Sequence, residues 1–185
     1  MSDVLLTYGW VRSSYSALRN LSKNDISVTV SDSTDLGMCQ FSRLSSGFEK
    51  YTSHYQDEDK FVSDILKICS DHKIKLIFPS HNETEIIARH RDKFDSSLVA
   101  LIPEETQCRI FNNKSDAYDL AADLGVPVAE RIYYSDPSKI AEILNDTGLV
   151  KTVIKLLTGN SGKGVFYGDN PGHAQSIVES LIDQY

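Results

Sequence analysis

The first 105 residues alternate between short apolar runs and amphipathic stretches, and this alternation restricts the possible folds more than any other feature of the chain. Short apolar runs stopped by polar residues or proline predict buried strands, and apolar residues at helical spacing predict the helices between them. Strands that alternate with helices predict a doubly wound α/β fold, in which right-handed crossovers place helices on both faces of a parallel sheet. The predicted strands are 4–7, 26–30, 76–78 and 98–102, and the predicted helices are 13–21, 57–71 and 82–91.

The carboxyl ends of these strands predict where a ligand binds, because open α/β sheets hold their ligands beyond that edge. We expect a small-molecule substrate there, and the candidate contacts are Tyr8, Gly9, Trp10, Asp32, Ser80 and Glu83. Trp10 could equally be a buried anchor of the first strand. A metal site at His81 with Glu83 and Glu85 is the weaker interpretation, since acidic residues at a helix start complement the helix dipole.

After residue 105 the pattern changes, which predicts a division into domains 1–105 and 106–185. Gly125 ends a helix over 113–124, and Asp136 with Pro137 begins another, as an N-cap and a first-turn proline do. We predict strands at 129–134, 150–157 and 164–167, a glycine-rich loop at 158–163 and a last helix at 172–182.

The glycine-rich loop between the last two predicted strands is the segment that most resembles a binding site. Small residues there let backbone N–H groups approach an anion closely. Lys155 on the strand before the loop and Lys163 within it add positive charge. The arrangement suits nucleotide phosphates, but a hairpin connection that binds nothing has the same composition.

Three other motifs are absent. The P-loop needs a glycine where Leu157 stands, and the nucleophile elbow needs one where Lys163 stands. The loop that begins at Tyr8 lacks the glycines of a dinucleotide-binding fingerprint, so we do not expect NAD there.

Two segments read together resemble the ATP-grasp family, which includes the carbamoyl-phosphate synthase large subunit, biotin carboxylase and D-alanine–D-alanine ligase. Asn113-Lys114 begins a predicted helix that is followed by Gly125-Val126-Pro127, and Ile154-Lys155 precedes the glycine-rich loop. In that family an Asp- or Asn-Lys pair begins a helix, and a second lysine precedes a glycine-rich lid over ATP. Asp32 and the Pro79 to Glu85 segment are similar to the Rossmann-like domain that precedes the ATP-grasp fold.

The resemblance implies a Rossmann-like pre-ATP-grasp domain (1–105) followed by the first α+β subdomain of an ATP-grasp fold (106–185). It implies ATP and Mg²⁺ as cofactors. The residues that would contact ATP are Lys114, Lys155, Gly159, Ser161, Gly162, Lys163 and Gly164. The family's magnesium ligands lie downstream of the lid and this chain ends at Tyr185, so we expect a truncated domain that is inactive alone.

The function implied for the complete enzyme is that of a ligase joining a small carboxylate to an amine or thiol through an acylphosphate. The alternative is a non-catalytic Rossmann-like module that binds a small metabolite. Ligand-detected binding without any need for ATP would favour this second hypothesis. The sequence leaves the substrate and a homo-oligomeric state open.

Charge and cysteine content bear on the partners. The net charge is −7 and no Lys/Arg-rich block is present, so we expect neither nucleic acid nor an anionic membrane as a partner. No apolar run approaches the length of a membrane span. Cys39, Cys69 and Cys108 are far apart and odd in number, which predicts free thiols in a reducing cytoplasm.

Overall fold

The computed structural model describes residues 2–159, 162 and 164–182, which form two compact units, Met1–Arg109 and Ile110–Tyr185. The predicted division after residue 105 and the division after Arg109 fall in the same helix, Glu105–Asn112. Among the described residues, buried apolar side chains form two clusters in the first unit and one in the second.

The first unit is a four-stranded parallel sheet with the strand order β3-β2-β1-β4. The predicted parallel α/β fold is therefore confirmed. Its strands are β1 (Val4–Leu6), β2 (Val28–Asp32), β3 (Gly47–Lys50) and β4 (Leu76–Phe78). Its helices are α1 (Arg12–Lys23), α2 (Glu58–His72), α3 (Glu83–Arg89) and the first part of α4 (Glu105–Asn112), with a 3-10 turn at Arg91–Lys93.

Helices cover both faces of the sheet. Successive side chains of a strand point to opposite faces, so neighbouring residues of one strand pack into different clusters. On β1, Leu5 packs into the cluster that holds Phe61 of α2 and Ile87 of α3. Its neighbours Val4 and Leu6 pack into the cluster around Leu18 of α1. A strand buried on both faces reads as a continuous apolar run, which explains why β1 was predictable.

The prediction of a fourth strand at 98–102 is wrong, because this segment forms successive turns. Val99 and Ile102 are buried in the core, but their carbonyl oxygens accept hydrogen bonds from the guanidinium of Arg91 instead of a neighbouring strand. One sheet contact remains, in which the Ile77 N–H donates to the Leu98 carbonyl over 2.8 Å. Two elements were missed, β3 at the end of a Ser/Gly-rich passage and α4.

The second unit contains α5 (Lys114–Asp123), α6 (Ile140–Asp146), β5 (Thr152–Lys155), β6 (Val165–Gly168) and α7 (Pro171–Ile182), with a 3-10 turn at Pro137–Lys139. β5 and β6 form an antiparallel pair. Apolar residues of α6 and α7 pack together to form its core: Ile140, Leu144, Ala174 and Val178.

The predicted strand at 129–134 is also wrong, because it pairs with no strand in the part of the chain that the structure describes. The caps follow prediction. Gly125 ends α5 at a φ of +73°, and Asp136 accepts a bond from the Ser138 N–H ahead of a 3-10 turn that leads into α6. All three cysteines are buried and free. Within the described ranges, no helix combines the length and apolar character that crossing a membrane requires.

Candidate functional site

The carboxyl edge of the parallel sheet brings several of the predicted substrate contacts together within the first unit. The loop after β1 turns sharply, because Tyr8 has a φ of +53°. Gly9 then lies so close to β2 that a Cβ on it would meet Val30 Cγ1 at 2.5 Å. A larger residue at position 9 would therefore have to displace the buried side chain of Val30.

Asp32, the last residue of β2, organises the loops at this edge. Its carboxylate accepts one bond from the Trp10 N–H at 2.8 Å and another from the Thr34 N–H at 3.1 Å. Its side chain is almost fully buried. Asp32 therefore holds the loop after β1 against the loop after β2, and its carboxylate is already occupied by backbone donors.

A buried chain of hydrogen bonds links the β1 loop to the start of α3. The Tyr8 N–H donates to the Tyr51 hydroxyl at 3.3 Å, and that hydroxyl donates to Glu83 Oε1 at 2.9 Å. Glu83 is only 3% exposed, and its Oε2 is buried with no hydrogen-bond partner among the described residues.

Burial dominates the titration of this pair. It raises the pKa of Glu83 to about 7, and the carboxylate of Asp32 adds to the effect. Burial beside Glu83 also raises the pKa of the Tyr51 hydroxyl above its ordinary value. Because Glu83 Oε2 has no access to solvent, a ligand could reach it only if the loop moved. Sequence reasoning missed Tyr51, since nothing in its local pattern marks it as the partner of Glu83.

The loop after β4 completes this edge. The Ser80 N–H donates to the Thr7 hydroxyl at 3.1 Å. The His81 ring stacks on the Tyr8 ring with centroids 4.7 Å apart. Trp10 is 52% exposed, so of its two interpretations the buried anchor is wrong. An exposed indole above a set of fixed loops can contact a small ligand.

In the second unit, Lys114 lies against the glycine-rich loop. Asn113 caps α5, since its side-chain oxygen accepts bonds from the N–H groups of Ser115 and Asp116. The Lys114 N–H donates to the Leu157 carbonyl at 2.9 Å, and its ammonium donates to the Gly159 carbonyl at 3.1 Å. The start of α5 is therefore attached, through both the backbone and the side chain of Lys114, to the segment that follows β5.

Lys155, at the end of β5, reaches the same helix. Its ammonium lies 3.3 Å from the hydroxyl oxygen of Tyr118 and 5.6 Å from the centre of that ring. Tyr118 is four residues after Lys114, so the two lie on one face of α5. The two predicted phosphate-binding lysines therefore lie along one seam, at which α5 contacts the end of β5 and the glycine-rich loop that follows it.

Arg131, which no sequence pattern marked, also contacts Tyr118. The guanidinium of Arg131 lies 5.6 Å from the centre of the Tyr118 ring and 5.2 Å from that of Tyr133. It also donates to the Ser115 carbonyl and pairs with Asp119. Arg131 was missed because the segment that carries it was predicted as a strand.

The glycines of the loop adopt backbone conformations that other residues rarely take. Gly159, Gly162 and Gly164 have φ values of +122°, +79° and +76°. At Gly164 a Cβ would meet Leu156 at 2.9 Å. The predicted contacts Ser161 and Lys163 lie outside the described residues.

Two further features bear on ligands. Within residues 2–159, 162 and 164–182, no three His, Cys, Asp or Glu side chains cluster as metal ligands, so no magnesium ligands are assigned here. A depression of about 460 Å³ lies beside α3 and is lined by Arg89 and Arg91, among others. Those guanidiniums are engaged by carboxylates and backbone carbonyls, so we assign it no ligand.

No family model and no curated protein sequence matches the chain. Solved structures do. The biotin carboxylase domain of Hydrogenobacter thermophilus 2-oxoglutarate carboxylase matches 97% of this chain over 40% of its own length, with 14% identity and a TM-score of 0.70. That structure contains MgADP, ADP and bicarbonate.

Two ligases match in a similar way. For N5-carboxyaminoimidazole synthetase from Staphylococcus aureus, complexed with ADP, the match covers 96% of this chain and 44% of that one, with 13% identity and a TM-score of 0.66. For the L-amino acid ligase from Bacillus licheniformis, the match covers 97% of this chain and 42% of that one, with 10% identity and a TM-score of 0.65.

This chain therefore spans about 40% of the length of the structures that it resembles. At such low identity the likeness shows the fold. All three matched structures are ATP-grasp proteins, and the chain has the fold of their N-terminal portion.

Proposed function

We propose that the second unit binds the phosphates of ATP through Lys114, Lys155 and the glycine-rich loop, with Gly159, Ser161, Gly162, Lys163 and Gly164 as loop contacts. The observation that carries the proposal is that both ammonium groups make contacts along this seam, Lys114 with the Gly159 carbonyl of the loop and Lys155 with the Tyr118 hydroxyl of α5. The ADP bound in two of the matched structures supports the choice of nucleotide.

The physical case rests on charge and access. Lys155 is exposed and Lys114 is half-buried, and neither ammonium pairs with a carboxylate in the described part of the chain. Their positive charge is therefore not neutralised before a ligand arrives. A hydrogen bond between a charged donor and a phosphate oxygen is stronger than a neutral one, and glycines beside it let backbone N–H groups approach.

We propose further that the whole protein is an ATP-dependent ligase for a small carboxylate. A carboxylate oxygen would attack the γ-phosphorus while the bond to ADP breaks, which forms an acylphosphate. An amine or thiol would then attack the acyl carbon, lose its proton and expel inorganic phosphate. The lysines would stabilise negative charge on the transferring group. The described residues contain no cluster of three or more His, Cys, Asp or Glu side chains that could hold a metal ion, so no residue is proposed here as a magnesium ligand.

A calorimetric titration with ATP tests the nucleotide proposal. We expect wild-type chain to bind, and Lys155→Met and Lys114→Met each to bind about tenfold or more weakly, because each loses a charged hydrogen bond. Lys139→Met is the matched control, since Lys139 is an exposed lysine of the same unit that pairs with Glu142. Equal affinity in all four proteins would refute the proposal.

The alternative function is binding of a small metabolite at the carboxyl edge of the sheet without ATP. The exposed indole of Trp10, set on loops fixed by Asp32, favours it. Ligand-detected NMR with a set of small carboxylates, on wild type and Trp10→Ala, distinguishes the two. Binding that needs Trp10 but no nucleotide would support the module. Binding that appears only with ATP would support the ligase.

A further inference from the structure

We propose that Tyr118 is a positioning residue that presents the ammonium of Lys155 to the phosphates. This inference rests on the proposed function, because it assumes that Lys155 is a phosphate contact. It assigns a role to a side chain that no motif marks.

The contact between the two side chains has the right chemistry for positioning. The Lys155 ammonium donates to the Tyr118 hydroxyl at 3.3 Å and lies 5.6 Å from the ring centre. A lysine ammonium has three N–H donors, and this bond uses one. A phenol hydroxyl is neutral, so it orients the ammonium without cancelling its charge. A carboxylate in the same place would neutralise the charge that a phosphate needs.

The Tyr118 ring is itself held in place. The guanidinium of Arg131 lies 5.6 Å from the ring centre. Two of its nitrogens are engaged, since Nη1 donates to the Ser115 carbonyl at 3.3 Å and Nη2 pairs with the carboxylate of Asp119. Ser115 and Asp119 belong to α5, on either side of Tyr118 in the sequence. These contacts hold Arg131 against α5, the helix that carries both Lys114 and Tyr118, and so keep the guanidinium beside the Tyr118 ring.

The expected benefit is pre-organisation. Lys155 is exposed, and its four-carbon chain would otherwise sample many rotamers. Ordering a rotamer-rich side chain before the ligand arrives lowers the cost of binding. Loss of the hydroxyl should therefore weaken ATP binding about three- to tenfold.

The test is a double-mutant cycle on ATP affinity. Tyr118→Phe keeps the ring beside Arg131 and removes only the hydroxyl. It is measured with Lys155→Met, the double variant and the control Tyr133→Phe, since Tyr133 also stacks on Arg131. Thermal unfolding of each protein checks the fold. The ¹⁵N signal of the Lys155 ammonium adds a readout independent of ATP, and we expect it to broaden in Tyr118→Phe but not in Tyr133→Phe.

The outcomes separate the two proposals. The expected result is three- to tenfold weaker binding by Tyr118→Phe, with the double variant no weaker than Lys155→Met. If Lys155→Met weakens binding and Tyr118→Phe does not, or if the two losses add, the positioning role is overturned and the nucleotide proposal stands. If Lys155→Met binds ATP as wild type does, Lys155 is not a phosphate contact and both proposals fail at this residue.

Discussion

The Tyr51 hydroxyl donates to the buried carboxyl of Glu83 over 2.9 Å, and this bond joins the residue that follows β3 to the start of α3. It stabilises the loops at the carboxyl edge of the parallel sheet, where we expect the substrate to bind. The same hydroxyl accepts from the Tyr8 N–H, so the first loop of the chain depends on it as well.

Stability of the first unit should depend on pH through Glu83. Burial raises its pKa from 4.5 to about 7, so the folded state binds the proton more tightly than the unfolded state does. The stability from this group is complete below pH 4.5 and is lost as the pH rises through 7. The loss should amount to up to about 3 kcal/mol.

The measurement is urea unfolding across this pH range, followed by fluorescence of Trp10, the chain's one tryptophan. Glu83→Gln has no ionisable group at position 83, while its other ionisable groups are those of the wild type. It therefore serves as the reference for their contribution to the pH dependence. We expect the stability difference between wild type and Glu83→Gln to change between pH 4.5 and 7. A constant difference would show that Glu83 keeps an ordinary pKa.

Gly164→Ala should disturb the glycine-rich loop more than Gly162→Ala does. Both residues have φ near +80°, where alanine costs about 1 to 2 kcal/mol. Only at Gly164 would the new Cβ also meet Leu156, at 2.9 Å. Overpacking of this kind adds about 1 kcal/mol or more.

Hydrogen exchange of the Leu156 amide reports this difference, because that N–H donates to the Gly164 carbonyl at 2.8 Å. We expect faster exchange in Gly164→Ala than in Gly162→Ala. Equal rates would mean that Leu156 moves aside without cost.

Asn113→Ala should loosen the start of α5 by about 1 kcal/mol, because it removes the side-chain oxygen that caps the helix. Asn113→Asp keeps that oxygen and should keep the stability. The readout is hydrogen exchange of the Ser115 and Asp116 amides, which donate to the cap at 2.9 Å and 3.3 Å. Unchanged exchange in Asn113→Ala would show that the Leu157 contact alone holds this turn.

The sequence predicted those parts of the molecule that local pattern controls. β1, β4 and the cap at Asp136 depend on residues next to each other in the chain. The segment 98–102 has the apolar content of a strand, but its Val99 and Ile102 carbonyls accept hydrogen bonds from the side chain of Arg91, and no pattern within the segment shows that. Partners outside an apolar segment, such as Arg91, therefore influence whether that segment forms a strand or a series of turns.

The same distinction applies to the candidate site. Lys114 and Lys155 were predicted through a family resemblance. Their contacts with Gly159 and Tyr118 could be found only from the folded structure. Tyr51 and Tyr118 went unnoticed because each acts on a residue more than thirty positions away. Glu83 was predicted as a substrate contact, yet its carboxyl is buried behind Tyr51. Its role as a substrate contact stays a prediction.

Chemical protection of lysines by ATP tests the central claim most directly. The chain is labelled with an amine-reactive reagent with and without saturating ATP, and labelling at each lysine is measured by mass spectrometry. We predict that ATP lowers labelling at Lys114 and Lys155 and leaves Lys139, which pairs with Glu142 at the surface, unchanged. Labelling of Lys114 and Lys155 that ATP does not alter would contradict the assignment of this seam as a phosphate site.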